Sequence, residues 1–302
     1  MILDALIAPF TANGFMANAL AAGFLVAVAC GIVGTFVVLR GLAFIGDALA
    51  HGVLPGVAVA MLLGVPGMIG AAVGAAAMIA GIGFITRRSR LSGDTAIGLL
   101  LVGMLALGVA IVSRSGAFAG DLVRILFGEI LGVTGRDLLA QLVATAVIAA
   151  VAYTCRRPFL LLCYDPEQAD TSGYSSRLFH GIMLALVALS VVVSFRTVGT
   201  LLVFGMLIAP AATAALFSRR LGTMIALASV LGGASVYAGL LLSYHANLAA
   251  GASITLVATV IFLAALVVRR PAGMAHARRS AGRGPTASAA ARSSRARQGA
   301  TT

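Results

Sequence analysis

Long apolar runs with almost no charge recur along this chain, separated by short breaks that carry Gly, Pro or Arg. Each run reaches the length of about 20 apolar residues that a bilayer-spanning helix needs. The pattern predicts spans near residues 17–39, 42–63, 66–86, 95–112, 137–155, 178–195, 197–217, 221–243 and 250–268. The expected fold is all-α: a polytopic helical membrane protein of about nine transmembrane helices, within a range of eight to ten, with room for one short span to be re-entrant. The expected domains are a lead-in segment over 1–14, a transmembrane domain over 15–269 and a basic tail over 270–302.

Composition supports the pattern. Of 302 residues, 61% are hydrophobic and 10% charged, against roughly a quarter charged in an ordinary soluble domain. With a mean hydropathy of +1.07 the apolar surface is too large to hide inside one water-soluble core. Glycine supplies 36 residues, and spacings such as Gly70 to Gly74 allow helix backbones to approach closely in lipid.

Charge sets the orientation. All 21 basic residues are arginine. With the first span running outside to inside, Arg40, Arg87, Arg88, Arg90, Arg156, Arg157, Arg177, Arg219, Arg220, Arg269, Arg270 and the tail arginines fall on the cytoplasmic side. Only Arg114, Arg124, Arg136 and Arg196 stay outside, a bias that puts the N-terminus out and the C-terminus in. Met1–Asn13 holds Asp4 and no arginine, so it lacks the basic start of a signal peptide and reads as an amphipathic lead-in. The tail, with Arg278, Arg279, Arg283, Arg292, Arg295 and Arg297 among Ala, Ser and Gly, cannot bury enough apolar surface to order itself. Its expected partner is the anionic inner leaflet rather than nucleic acid.

Absent chemistry narrows the function. Without lysine there is no Walker A loop and no Schiff base, so energy must come from a gradient, a potential or a partner. Cys30, Cys155 and Cys163 form no CxxC pair and read as packed small hydrophobes. No HExxH or GxSxG is present, which argues against a membrane enzyme.

Ionisable residues inside a span are costly, so they mark pathways. Asp47 and His51, in Gly46-Asp47-Ala48-Leu49-Ala50-His51-Gly52, share one helix face at i, i+4 spacing. Carboxylate plus imidazole suits Zn²⁺, Mn²⁺ or Fe²⁺, and Gly52 and Pro55 just beyond would free carbonyls as further ligands. Two ligands do not complete a site, so a second copy or water must supply the rest. An Asp–His hydrogen bond that merely satisfies two polar groups, and a proton relay, both fit the same residues. His245, in Ser243-Tyr244-His245, reads as an outer-loop residue able to meet an incoming cation, His180 as an interfacial residue and His276 as part of the tail.

Two other segments stand out. In the longest inner loop, about 158–176, Asp165 can cap a short helix with Pro166 at its first position, Glu167 in its first turn, Ala169 within it and Gly173 as its stop. The outer segment Asp121–Gly135 carries an apolar stripe at helical spacing that suits the outer interface. Pro210 in the seventh span predicts a kink and a possible hinge, with Thr213 bonding back to the carbonyl of Ala209.

Taken in order, several of these motifs resemble one family. Phe36-Val37-Val38-Leu39-Arg40 leading into Gly46-Asp47-x-Leu49-Ala50-His51, then Leu126-Phe127-Gly128-x-Ile130-Leu131-x-Val133-Thr134, Asp165-Pro166-Glu167-x-Ala169, Val198-Gly199-x-Leu201-Leu202 and Pro210-Ala211-Ala212-Thr213-Ala214 resemble the permease subunits of zinc/manganese/iron ABC importers, the ABC-3 family. The match runs from about residue 15 to 268 and leaves out the tail. The resemblance implies a bacterial cytoplasmic-membrane permease that acts as a homodimer, with an ABC ATPase beneath and an extracytoplasmic metal-binding protein above. It implies that Asp47 and His51 pass the ion, that Asp165–Gly173 couples to the ATPase, and that ATP is hydrolysed on the partner chain. No permanently bound cofactor is implied; the cargo is a divalent metal, Zn²⁺ first and Mn²⁺ or Fe²⁺ next, moved by alternating access. The rivals are a proton-coupled secondary transporter and an ABC permease for a siderophore, haem or cobalamin.

Overall fold

The computed structural model describes residues 9–11, 14–89, 92–113 and 130–269. The lead-in apart from 9–11, most of the outer segment 121–135 and the whole tail lie outside the described residues. The helices are α1 (Gly14–Leu39), α2 (Ala43–Leu62), α3 (Gly67–Arg88), α4 (Gly93–Val112), α5 (Gly135–Thr154), α6 (Arg156–Tyr164), α7 (Pro166–Thr171), α8 (Ser176–Phe217), α9 (Leu221–Ala246) and α10 (Ala250–Arg269). Among the described residues, eight segments are long and apolar enough to cross a membrane, the sixth being Ser176–Phe195, and a shorter apolar helix covers Leu202–Phe217. The chain divides into Met1–Phe262, which holds the helical core, and Leu263–Thr302, described only to Arg269.

Local sequence explains where several helices start and stop. Thr134 and Asp137 form a reciprocal capping box at the start of α5, and Ser92 caps α4 by accepting from the Thr95 amide. Arg87 and Arg88 close α3, where cations oppose the carbonyl end of the helix dipole. Exposed Leu99, Val102 and Leu107 on α4, and Leu139, Leu142 and Val147 on α5, would be a liability in water but are the natural surface toward hydrocarbon.

α1 lies deepest, buried over most of its length, and packs against α5, α8 and α9. Buried polar contacts tie it in: Cys30 meets Ser190 of α8, and Thr145 of α5 donates to the Leu25 carbonyl. α2 packs against α3 through a seam of small residues. A Cβ at Gly56 would run into the Gly70 carbonyl oxygen, one at Gly70 into that of Gly56, and one at Gly74 would stand 2.7 Å from that of Gly52. Only glycine lets the two backbones come this close, as the Gly70/Gly74 spacing predicted.

α8 consists of two helical arms that meet close to the boundary the sequence placed between its sixth and seventh spans. The helix continues through Pro210, and the Thr213 hydroxyl donates to the Ala209 carbonyl at 2.7 Å, as the spacing predicted. The break is at Gly199, with φ 72° and ψ 168°, a conformation open essentially to glycine alone. From there Leu202–Phe217 returns toward the end where the chain began α8. His180 bonds Arg40 at one end, Ser194 bonds Gln141 of α5 at the other, and Ala211 and Ala214 pack near Val38 and Leu39 beside Arg40. Leu202–Phe217 is shorter than the eight long apolar helices of the described residues. It falls within the seventh apolar run, 197–217, read from the sequence.

Beyond the Asp47/His51 pair the helix does not unwind. α2 is one helix from Ala43 to Leu62 with Pro55 inside it, and Gly52 serves the α3 seam. Pro55 still removes one donor, leaving the His51 carbonyl without its helical partner.

Candidate functional site

Asp47 and His51 lie on α2 one and two turns in from the end that carries Arg40. Their neighbours Ile45, Ala48, Leu49, Ala50 and Val53 are buried, and Gly46 packs against Leu207 of α8. The pair instead faces outward on a stripe with Phe44 and Val59, 64% and 42% exposed, at helical spacing. The side chains of His51 and Asp47 are 23% and 27% exposed.

The pair is more open than a tight hydrogen bond, at a separation that two ligands of one ion would also have. His51 Nε2 stands 3.4 Å from Asp47 Oδ1, longer than the roughly 2.9 Å of a good N–H···O bond. Two ligand atoms each about 2.1 Å from one ion, at octahedral to tetrahedral angles, lie roughly 3.0–3.4 Å apart. The other imidazole nitrogen, Nδ1, is buried and has no hydrogen-bond partner among the described residues. A buried ring nitrogen left so costs about 1–3 kcal/mol, which points to a group that joins the site in the working assembly. Among the described residues no three His, Cys, Asp or Glu side chains gather into a metal site.

The other histidines differ from expectation. His245 is not in a loop: it stands exposed in the last turn of α9, edge-on to Tyr244, before Asn247 ends the helix in the left-handed conformation. His180 does more than rest at an interface. Its Nδ1 accepts from the Arg40 guanidinium at 2.8 Å, pinning the start of α8 to the turn between α1 and α2. Sequence reading missed this pair because 140 residues separate its members.

The segment 158–176 folds as two helices. Asp165 accepts from the Glu167 and Gln168 amides at 2.9 and 3.3 Å, with Pro166 opening α7 as expected. Ala169 is buried, and Gly173 at φ 85° ends the helix. Asp165, Glu167 and Asp170 are exposed, an acidic face at the arginine-rich end. Asp170, which sequence reading passed over, holds the next helix: it accepts from the Ser176 amide at 2.7 Å and the Ser176 hydroxyl at 2.8 Å. These two bonds keep its carboxyl below the usual aspartate range. The three cysteines are free, and burial pushes the Cys163 thiol up to about 11.

Eight long apolar helices among the described residues, a shorter arm beyond the break at Gly199, an Asp–His pair within one of the long helices and an exposed acidic helix between them fit a membrane permease without an ATP site of its own. Residues 12–269 match the ABC 3 transport family, and the chain belongs to that family. It is 39% identical over 261 residues to the manganese transport system membrane protein MntC of Listeria innocua, covering 86% of this chain and 93% of that protein. It is 34% identical over 267 residues to the chelated iron transport system membrane protein YfeD of Yersinia pestis, covering 88% and 89%. Among solved structures, PsaBC from Streptococcus pneumoniae in complex with Fab superposes with a TM-score of 0.79 at 36% identity, covering 88% of this chain and 95% of that one. The chain is a multi-pass permease of a bacterial ABC importer for divalent metal ions, and such a permease works with an ATPase and a binding protein.

Proposed function

We propose that this permease carries Mn²⁺, with Asp47 and His51 as transient ligands on a path closed by a second copy of the chain. The observation that carries the proposal is the pair itself: carboxylate and imidazole at ligand separation, with one ring nitrogen unpartnered, on an open stripe of an otherwise buried helix. A charged side chain facing hydrocarbon costs about 2.5–3.5 kcal/mol or more. A second copy laid over Phe44, Asp47, His51 and Val59 removes that cost and brings two such pairs to one axis. Two weak pairs hold an ion that must leave again better than one closed tetrahedral site.

The ranking of metals changes from the one read in the sequence. Histidine favoured Zn²⁺ there; the relatives are named for manganese and, next, for iron, and a carboxylate oxygen is a ligand Mn²⁺ accepts readily. Fe²⁺ is the second reading on the same ground. In this account the arginine-rich end faces the cytoplasm, as positive residues do. There α7 presents Asp165, Glu167 and the turn at Gly173 to the ATPase. Closure of the ATPase pair moves α7, and Asp170 passes the motion to α8 through Ser176.

The test is uptake of radiolabelled Mn²⁺ by liposomes that hold the permease with its ATPase and binding protein, with Fe²⁺ and Zn²⁺ as competitors. ATP-dependent uptake that yields least to Zn²⁺ supports the ranking. Preferred uptake of Zn²⁺ overturns it, and uptake without ATP returns the proton-coupled reading.

A further inference from the structure

At the arginine-rich end, where α3 finishes and α2, α4 and α8 begin, the helices enclose an open cavity of about 730 Å³. Its wall is apolar, with Ile45, Ile79, Ile97 and Leu184 running into the helix layer. Its mouth is basic: Arg87, Arg88, Arg177 and His180 all line it. No carboxylate of the described residues comes within ion-pair distance of these three arginines, and Asp94 in the first turn of α4 does not line the cavity. Asp170, which feels the charge of Arg177, already holds Ser176 with both oxygens. Because the His180 Nδ1 accepts from Arg40, its Nε2 carries the proton and is a further donor. The first turns of α4 and α8 both border the cavity and add the positive ends of their dipoles.

We infer that this cavity binds an anionic phospholipid, the phosphate at Arg87, Arg88 and Arg177 and an acyl chain along the apolar wall. Three features together select this occupant. A divalent cation is repelled by the same charges, so the cavity lies off the metal path. A small soluble anion leaves the apolar wall empty. The level, where long apolar helices end in arginine, is that of lipid headgroups. The site is independent of the identity of the transported metal.

Native mass spectrometry of the full-length permease, titrated with phosphatidylglycerol or phosphatidylcholine, tests it. Each arginine near the surface strengthens anionic-lipid binding about fivefold. Wild type should therefore hold phosphatidylglycerol at least about tenfold more tightly than phosphatidylcholine, and Arg87→Gln/Arg88→Gln/Arg177→Gln should erase that preference. Gly83 lines the cavity and has nothing within 4 Å of an added Cβ. Gly83→Leu should fill the space and weaken phosphatidylglycerol binding with every arginine in place. Equal binding of the two lipids by wild type, an unchanged preference in the triple variant with full binding by Gly83→Leu, or displacement by millimolar inorganic phosphate each overturns the assignment.

Discussion

Gly56→Ala tests the packing that holds the site helix in position. A methyl on Gly56 points at the Gly70 carbonyl oxygen, and the Gly74 nitrogen lies 2.9 Å from it. An unstrained C···O contact needs about 3.3 Å, so α2 and α3 must part by roughly 1 Å at the seam. A gap of that size forfeits about a quarter to a half of the dispersion attraction across the contacts it opens. Overpacking of this kind costs about 1–3 kcal/mol, offset by up to about 1 kcal/mol from the better helix propensity of alanine. With the full offset the net cost is about 0–2 kcal/mol, or a melting point up to roughly 6 °C lower, and about 1–3 kcal/mol relative to a glycine-to-alanine change in open space. Gly98→Ala and Gly103→Ala on α4 are the matched controls: nothing lies within 4 Å of an added Cβ there, so only the propensity gain remains. Thermal unfolding of the purified permease in detergent reads all three. Gly56→Ala melting as high as Gly98→Ala would refute the seam. Because Gly52 and Gly56 sit one residue and about one turn past His51, uptake should fall with the melting point.

Other outcomes follow from named residues. Gly199→Ala forces a side chain into a glycine-only region and should cost about 1–3 kcal/mol in thermal unfolding, whereas Gly181→Ala earlier in α8, with open space around it, should not. Ala169→Arg drives a charge into the buried side of α7 and should separate ATP hydrolysis from metal uptake; a normal ratio of metal moved per ATP would remove α7 from the coupling path. Since Asp170 has a depressed pKa, its hold on Ser176 is full above the ordinary aspartate pKa of about 3.9 and is lost only as pH falls through the lower folded value. Hydrogen exchange at the Ser176 amide, corrected for its intrinsic rate, should therefore stay protected from pH 5 to 8 and lose protection at every pH in Asp170→Ala. A loss of protection between pH 5 and 8 in the wild-type protein would contradict this.

Much of the fold was legible because its rules are local. Span length and charge-poor runs placed the membrane helices to within a few residues, and i, i+4 spacing put Asp47 and His51 on one face. The Asp165 cap and the Gly173 stop were equally readable. The Thr213 bond to the Ala209 carbonyl beside Pro210 was readable from spacing, whereas the positive φ at Gly199 leaves no mark that separates it from the other glycines. The Arg40–His180 bond and the contact of Gly46 with Leu207 depend on how distant segments meet, which spacing along the chain does not encode. The outward direction of the Asp47/His51 stripe was likewise invisible until its neighbours were seen to be buried.

The central claim is that the Asp47/His51 pair passes the metal. Its most direct measurement compares ATP-driven Mn²⁺ uptake by wild type, Asp47→Asn and His51→Ala in the full importer, with ATP hydrolysis followed in the same vesicles. Loss of one of so few ligands should cut uptake by at least about tenfold while both variants still assemble with the ATPase and hydrolyse ATP. Uptake within twofold of wild type in both variants would place the path elsewhere.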